Sequence, residues 1–106
     1  MTVSRKIAID GAYSKVKAIL NGVVSMQSLK NLFSPKQHPL LREGKAGEEE
    51  ILCEFFDSIE LFYRINYPKK SNELIEEGEF VEYYRYIGYC IGDDYYFGQM
   101  LKCWGN

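Results

Sequence analysis

The chain has 106 residues, of which 46% are hydrophobic and 15% aromatic, and its formal net charge is −2. This length provides one apolar core, and we expect residues 1–106 to fold as a single domain without metal or disulfide support. The aromatic content excludes a disordered chain. The lack of any apolar run near the ~20 residues that span a bilayer excludes a membrane-spanning helix within these residues.

The charges are unevenly distributed along the chain. Residues 1–46 carry eight basic and two acidic side chains, whereas residues 47–106 carry five basic and thirteen acidic ones. This asymmetry indicates either a charged partner or pairing between the two halves. Cys53, Cys90 and Cys103 have no close spacing. We therefore expect them to be reduced and buried as small hydrophobic residues, in a cytoplasmic protein.

Two helices are predicted in the first third of the chain. Apolar residues at helical spacing, with Asp10 as N-cap and Asn21-Gly22 as a stop, predict a helix over residues 10–21. Ser25 is a good N-cap for a second, short helix that ends before Ser34-Pro35. Residues 34–47 have no sustained period and predict a long loop, with Leu40-Leu41 packed onto the core.

The segment EEEILCEFFDSIELFYR, residues 48–64, has the strongest helical pattern. Its apolar residues form one continuous face for the core, and its acidic residues lie opposite. Ser71 or Asn72 can cap a fourth helix over about residues 72–91. Residues 80–104 predict either a closing helix or a β-hairpin that turns at Gly92-Asp93-Asp94. The fold class is therefore all-α, a bundle of four or five helices, with the C-terminal hairpin as the alternative.

No arrangement of side chains in the sequence predicts catalysis. His38 is the only histidine, and the cysteines lack the paired spacing of a zinc site. Glu50, Glu54 and Asp57 lie one turn apart and could bind a divalent ion, but bundle metal sites need ligands that point inward. We expect no cofactor, no metal and no enzymatic activity. The acidic isoelectric point near 5.4 argues against direct nucleic-acid binding.

The acidic side of the two long C-terminal helices is the candidate partner-binding surface. It combines carboxylates with exposed apolar or aromatic side chains, which is typical of surfaces that steer and hold a basic protein partner. The candidate residues are Glu50, Glu54, Asp57, Glu60, Leu61, Glu76, Glu77 and Tyr86. A solvated, purely solubilising face is the alternative.

The order of elements over residues 10–80 resembles a known family. A helix ending in Asn-Gly, then VVSMQSLKNLF, a polar loop and EEEILCEFFDSIELFY are similar to the helical immunity proteins of the colicin D type and of contact-dependent growth inhibition systems. The resemblance implies that Glu50, Glu54, Asp57 and Glu60 block the basic active site of a nuclease toxin.

The resulting hypothesis is a cytoplasmic immunity protein, monomeric or weakly dimeric, that neutralises a basic toxin nuclease without contacting nucleic acid or membrane. A phage-encoded inhibitor of a host nuclease or defence enzyme is the alternative, and a small carboxylate-based enzyme or metal protein is a third possibility.

Overall fold

The computed structural model describes residues 2–104, and the regular structure in this range is helical. The elements are α1 (Val3–Ile19), α2 (Met26–Leu32), a 3₁₀ turn (Pro35–Gln37), α3 (Pro39–Arg42), α4 (Glu48–Asn66), α5 (Glu77–Gly88) and α6 (Asp94–Leu101). The all-α prediction is confirmed. The closing helix is also confirmed, so the alternative hairpin is wrong, and residues 2–104 contain six α-helices instead of four or five.

The first helix begins seven residues earlier than the sequence predicts. Thr2 is the N-cap of α1, and its hydroxyl accepts a bond from the Arg5 N–H. Asp10 is not a cap but lies within α1, where it pairs with Lys6 one turn away. The predicted stop is correct, because Asn21 and Gly22 follow α1 with φ of +57° and +89°.

The middle of the chain is more helical than predicted. Ser25 caps α2 as expected, with its hydroxyl 3.1 Å from the Ser28 N–H. The segment predicted as a long loop contains the 3₁₀ turn and α3, whose N-cap is His38. Leu40 and Leu41 are partly buried against the core, as expected.

The helix α4 matches the prediction, and α5 does not begin where predicted. Ile51, Phe55, Ile59 and Phe62 form the buried stripe of α4. The N-cap of α5 is Glu76, so the proposed caps Ser71 and Asn72 are wrong.

The core is aromatic, and Trp104 lies at its centre. The Trp104 ring packs against Phe33, Phe55 and Phe80 at centroid distances of 5.2–5.7 Å. Its Nε1 donates a 2.6 Å hydrogen bond to the hydroxyl of Tyr84. Each such aromatic pair adds about 0.5–1.5 kcal/mol beyond its buried area.

The predicted burial of the cysteines is correct for one residue only. All three thiols are free, but Cys103 alone is buried, whereas Cys53 and Cys90 are exposed.

Candidate functional site

Two helix–loop–helix units are joined through their loops. We call residues 20–25, between α1 and α2, the first loop, and residues 67–76, between α4 and α5, the second loop. Ser25 and Leu74 form an antiparallel bridge between them. The Ile75 N–H donates to Val24 O at 2.7 Å, and the Met26 N–H donates to Glu73 O at 2.8 Å. The loops therefore fix α1–α2 against α4–α5.

Several groups in and around the second loop bind one carboxylate oxygen, Oε1 of Glu79. This oxygen pairs with the Lys70 ammonium and accepts bonds from the Tyr63 hydroxyl at 3.0 Å and the Glu76 N–H at 3.1 Å. The Lys70 and Glu79 side chains are only 16% and 13% exposed. The pair is therefore shielded from solvent, unlike a surface ion pair. We call these groups the Glu79 cluster.

Tyr63 is a fixed hydrogen-bond donor in the Glu79 cluster. Burial, together with the charge of Glu79 and the hydrogen bond to it, raises the pKa of Tyr63 far above its ordinary value. The hydroxyl stays protonated at physiological pH and can only donate to the carboxylate. Lys70 also lies over the Tyr63 ring, 5.6 Å from its centroid.

A groove of about 500 Å³ opens between α4 and α5. Phe33, His38 and Met100 of α6 also contribute to its lining. Most of the lining is apolar or aromatic, and the full set is Phe33, His38, Ile51, Glu54, Phe55, Ser58, Tyr83, Tyr84, Tyr86, Ile87, Tyr89, Cys90, Ile91 and Met100. Apolar depressions with a few polar groups are typical ligand or peptide sites.

His38 contributes a neutral ring to this groove. Its Nδ1 accepts the Leu40 N–H at 3.1 Å, so the neutral ring carries its proton on Nε2. Burial lowers the pKa of His38, while the charge of Glu54 acts in the opposite direction.

The candidate residues on α4 do not form one surface with a common role. Glu54 lines the groove. Glu60 forms an ion pair with Lys30 of α2, and Glu50 Oε1 accepts the Gly47 N–H at the start of α4. Asp57 is exposed, and Leu61 is 43% exposed, as predicted.

The candidate residues on α5 also lie in two different places. Tyr86 is 52% exposed and lines the groove together with Glu54. Glu76 and Glu77 lie at the start of α5, where the backbone N–H of Glu76 belongs to the Glu79 cluster. The structure therefore places only Glu54 and Tyr86 of the candidate residues in the groove, and whether the others contact a partner stays a prediction.

Several residues of these two sites were missed from sequence. Lys70 and Tyr63 meet Glu79 only through the fold of the second loop. Cys90 follows α5 and was expected to be buried, so its place in the groove lining was missed. Across residues 2–104, no group of three or more His, Cys, Asp or Glu side chains is arranged to hold a metal ion. In the same range, no helix is both long and apolar enough to cross a membrane.

The chain is similar to a calcium-binding protein. It is 31% identical over 102 residues to crustacean calcium-binding protein 23 of Faxonius limosus. The match covers 96% of this chain and 48% of the relative, so the chain spans about half the length of the protein it matches. No family model matches the chain.

This similarity corrects the functional prediction. The relative is named for calcium binding, and it matches almost the whole chain. The prediction of an immunity protein that neutralises a toxin nuclease is therefore wrong, as is the alternative of a phage-encoded nuclease inhibitor. The relative carries the name of a binding protein and not of an enzyme. The resemblance to colicin D-type proteins is not itself tested by this match.

Proposed function

We propose that this chain is a non-enzymatic protein-binding module that takes up a basic, apolar peptide segment in the groove between α4 and α5, without calcium. The observation that carries the proposal is the groove itself, with its apolar lining and the exposed rings of Tyr86 and Tyr89 at 52% and 82% exposure. Exposed aromatic side chains beside an apolar depression are common anchors for protein partners.

Charge determines which partner suits the groove. The helices α4 and α5 together carry nine acidic and two basic side chains. Glu54 belongs to the groove lining, and the His38 ring beside it is neutral above its lowered pKa. A partner that carries lysine or arginine next to its apolar residues is therefore favoured over an acidic one. An amphipathic helix is the usual way to present such a pattern to a groove between helices.

Residues 17–28, which contain the first loop, provide no charged calcium ligand. An EF-hand loop binds calcium through side chains of its first, third, fifth and twelfth residues, a side chain or water at the ninth and the backbone carbonyl of the seventh, with glycine at the sixth, where the chain turns sharply. Gly22, at φ +89°, fits the sixth position. That register places Lys17 first, Ile19 third and Ser28 twelfth. Only Asn21 at the fifth position and Ser25 at the ninth have side-chain oxygens besides Ser28, and none of these carries a charge.

The second loop retains one acidic ligand at the required place but lacks others. Glu79 fits the twelfth position, where EF-hands have a bidentate glutamate. The same register places Pro68 first, Lys70 third and Asn72 fifth. Proline has no side-chain oxygen, and the lysine ammonium repels a cation.

Two observations support these registers. Both put the N-cap of the following helix, Ser25 or Glu76, at the ninth position. Both also put Val24 and Ile75 at the eighth position, and these residues hydrogen-bond to each other. The second loop therefore has the form of an EF-hand loop, whereas Lys17 and Ile19 of the first register still lie within α1, and the residues of neither register fit calcium.

The proposal includes a reducing compartment such as the cytoplasm, because all three cysteines are free thiols. Calcium binding, as in the name of the relative, is the second candidate function, and the 31% identity favours it. Calorimetric titration with calcium chloride separates the two candidates. We expect no heat of binding, and a saturable heat would favour the second candidate.

Cysteine protection tests the groove directly, because the chain contains a matched pair of exposed thiols. Cys90 lines the groove, whereas Cys53 is exposed on α4 outside its lining. We expect an amphipathic leucine–lysine peptide to slow alkylation of Cys90 by iodoacetamide, measured by mass spectrometry, and to leave Cys53 unchanged. A leucine–glutamate peptide of equal length is the control. Equal rates at Cys90 with and without the leucine–lysine peptide would contradict the proposal.

A charge reversal tests the role of Glu54. We expect Glu54→Lys to weaken binding of the leucine–lysine peptide by about three- to tenfold, since one rim charge pair contributes on the order of 1 kcal/mol. Asp57→Lys makes the same charge change on α4 outside the groove lining and should weaken binding less. Fluorescence anisotropy of a labelled peptide gives both affinities, and equal losses would show that only net charge matters.

A further inference from the structure

The groups that surround Glu79 Oε1 are all hydrogen-bond donors. They are the Lys70 ammonium, the Tyr63 hydroxyl and the Glu76 N–H. A calcium site instead needs oxygen acceptors that converge on the ion. The negative charge of the Glu79 carboxylate is therefore already balanced by the ammonium of Lys70.

We infer that Lys70 is the resident cation of the second loop: its ammonium takes the place of a bound calcium ion and ties the loop to α4 and α5 without any ion from solution. Lys70 lies in the loop, Tyr63 belongs to α4 and Glu79 belongs to α5. The Lys70–Glu79 ion pair, with the bond from Tyr63 to the same carboxylate oxygen, thus joins the three parts of the unit that a metal ion would join.

Asn72, at the fifth position of the same register, takes part in the backbone turn of the second loop. The Asn72 side-chain oxygen accepts the Leu74 N–H at 3.1 Å, so it serves the backbone turn. Lys70 also lies over the Tyr63 ring, which favours a cation at this position. In contrast, the neighbouring Lys69 is exposed and lies outside this cluster.

The inference rests on the calcium independence of the proposed function but not on peptide binding in the groove. Calcium binding by the unmodified chain would contradict the proposed function. The role of Lys70 is tested with Lys70 variants, so a negative result for these variants is distinguishable from a failure of the proposed function.

Thermal unfolding tests the contribution of Lys70 to the folded state. We expect Lys70→Met to lower Tm by about 5–10 °C, because it leaves a largely buried carboxylate without its counter-charge. Lys69→Met is the matched control and should change Tm by less than about 2 °C. In a chain that already carries Glu79→Gln, we expect Lys70→Met to lower Tm much less than it does in the unmodified chain, because the two charges act as a pair. Equal Tm values for the Lys70 and Lys69 variants would overturn the inference.

A gain of calcium binding tests whether the ammonium lies at the cation position. Lys70→Asp supplies a carboxylate at the third loop position, beside Asn72, Glu76 and Glu79. We expect about 10 mM calcium chloride, above the millimolar dissociation constants of weak sites, to raise the Tm of this variant by about 3–8 °C.

Lys69→Asp has the same net charge and provides the control, with sodium chloride at equal ionic strength. If Lys70→Asp is unfolded without calcium, refolding on calcium addition, followed by circular dichroism, gives the same support. An equal response of the Lys69 and Lys70 variants would overturn the inference.

Discussion

His38 makes the stability of the protein depend on pH near neutrality. Burial lowers the pKa of His38 in the folded state below the ordinary value of about 6.5 that it regains on unfolding. Between these two pKa values the unfolded chain binds more protons, so the free energy of unfolding rises with pH. The contribution of neutral His38 is complete above about pH 6.5 and is lost as the pH falls below it. Protonation of Nδ1 would also break the bond from the Leu40 N–H.

We therefore expect Tm to decrease from pH 7.5 to pH 5.5, and the decrease to be smaller in His38→Asn. Asparagine is chosen because it can still accept a bond at the N-cap of α3 but does not titrate. Differential scanning calorimetry at both pH values gives the two decreases. Equal decreases in the two proteins would show that His38 does not determine the pH dependence.

At the scale of the helices, Arg5 connects three elements. Its guanidinium donates from Nε to Asp94 Oδ1 at 2.6 Å, from Nη1 to Gly88 O at 3.1 Å and from Nη2 to Ile91 O at 2.6 Å. Its Cζ lies 4.6 Å from the centroid of the Phe97 ring. Arg5 of α1 thus bonds carbonyls at the end of α5 and a side chain at the start of α6. A Cβ on Gly88 would lie 3.2 Å from Nη1, so glycine allows this close approach.

We expect Arg5→Met to lower the free energy of unfolding by about 2–3 kcal/mol, because three carbonyl or carboxylate acceptors lose a charged donor. Arg5→Lys should recover less than half of this loss, since an ammonium cannot reproduce the planar fork. Lys6→Met, which removes an exposed pair with Asp10, should cost under about 0.5 kcal/mol. Urea titration followed by circular dichroism measures all three, and similar values for Arg5→Met and Lys6→Met would contradict this role.

The boundaries of the helices show what the sequence could predict. The α4 stripe was predictable, because its apolar residues repeat at helical spacing and all face one core. The start of α1 was not, because Val3 and Ile7 are exposed and Arg5 is held by distant backbone groups. The start of α5 was missed because residues 73–75 pair with the first loop, a contact between segments about fifty residues apart. The Lys70–Glu79 pair was missed for a different reason: the two residues are only nine positions apart, but the turn of the second loop, which no local pattern predicted, brings them together.

At the scale of the whole molecule, part of the charge asymmetry is neutralised by ion pairs within the chain. Lys30 pairs with Glu60, and Arg5 pairs with Asp94, so basic residues of the first half contact acidic residues of the second. Pairing between the two halves, one of the two possibilities that the sequence left open, is therefore present. The acidic groups that remain on α4 and α5 are the ones available to a basic partner.

The environment of Trp104 links its fluorescence to the unfolding of several helices at once. It is the only tryptophan in the chain and is 1% exposed. Its ring contacts Phe33 beyond α2, Phe55 of α4 and Phe80 of α5. The paired loops join α1–α2 to α4–α5, and the Arg5 bonds join α1 to the end of α5 and to α6. A core that is shared in this way cannot lose one helix without exposing apolar surface of the others.

We therefore expect a single unfolding transition, with the urea midpoint from Trp104 fluorescence equal to that from circular dichroism at the helix band. Lys70→Met should shift both midpoints together, because the second loop and Trp104 belong to one cooperative unit. A fluorescence midpoint at lower urea would show that the segment from α6 to Trp104 separates first. Since Met100 of α6 lines the groove, the groove would then open before the rest of the molecule unfolds.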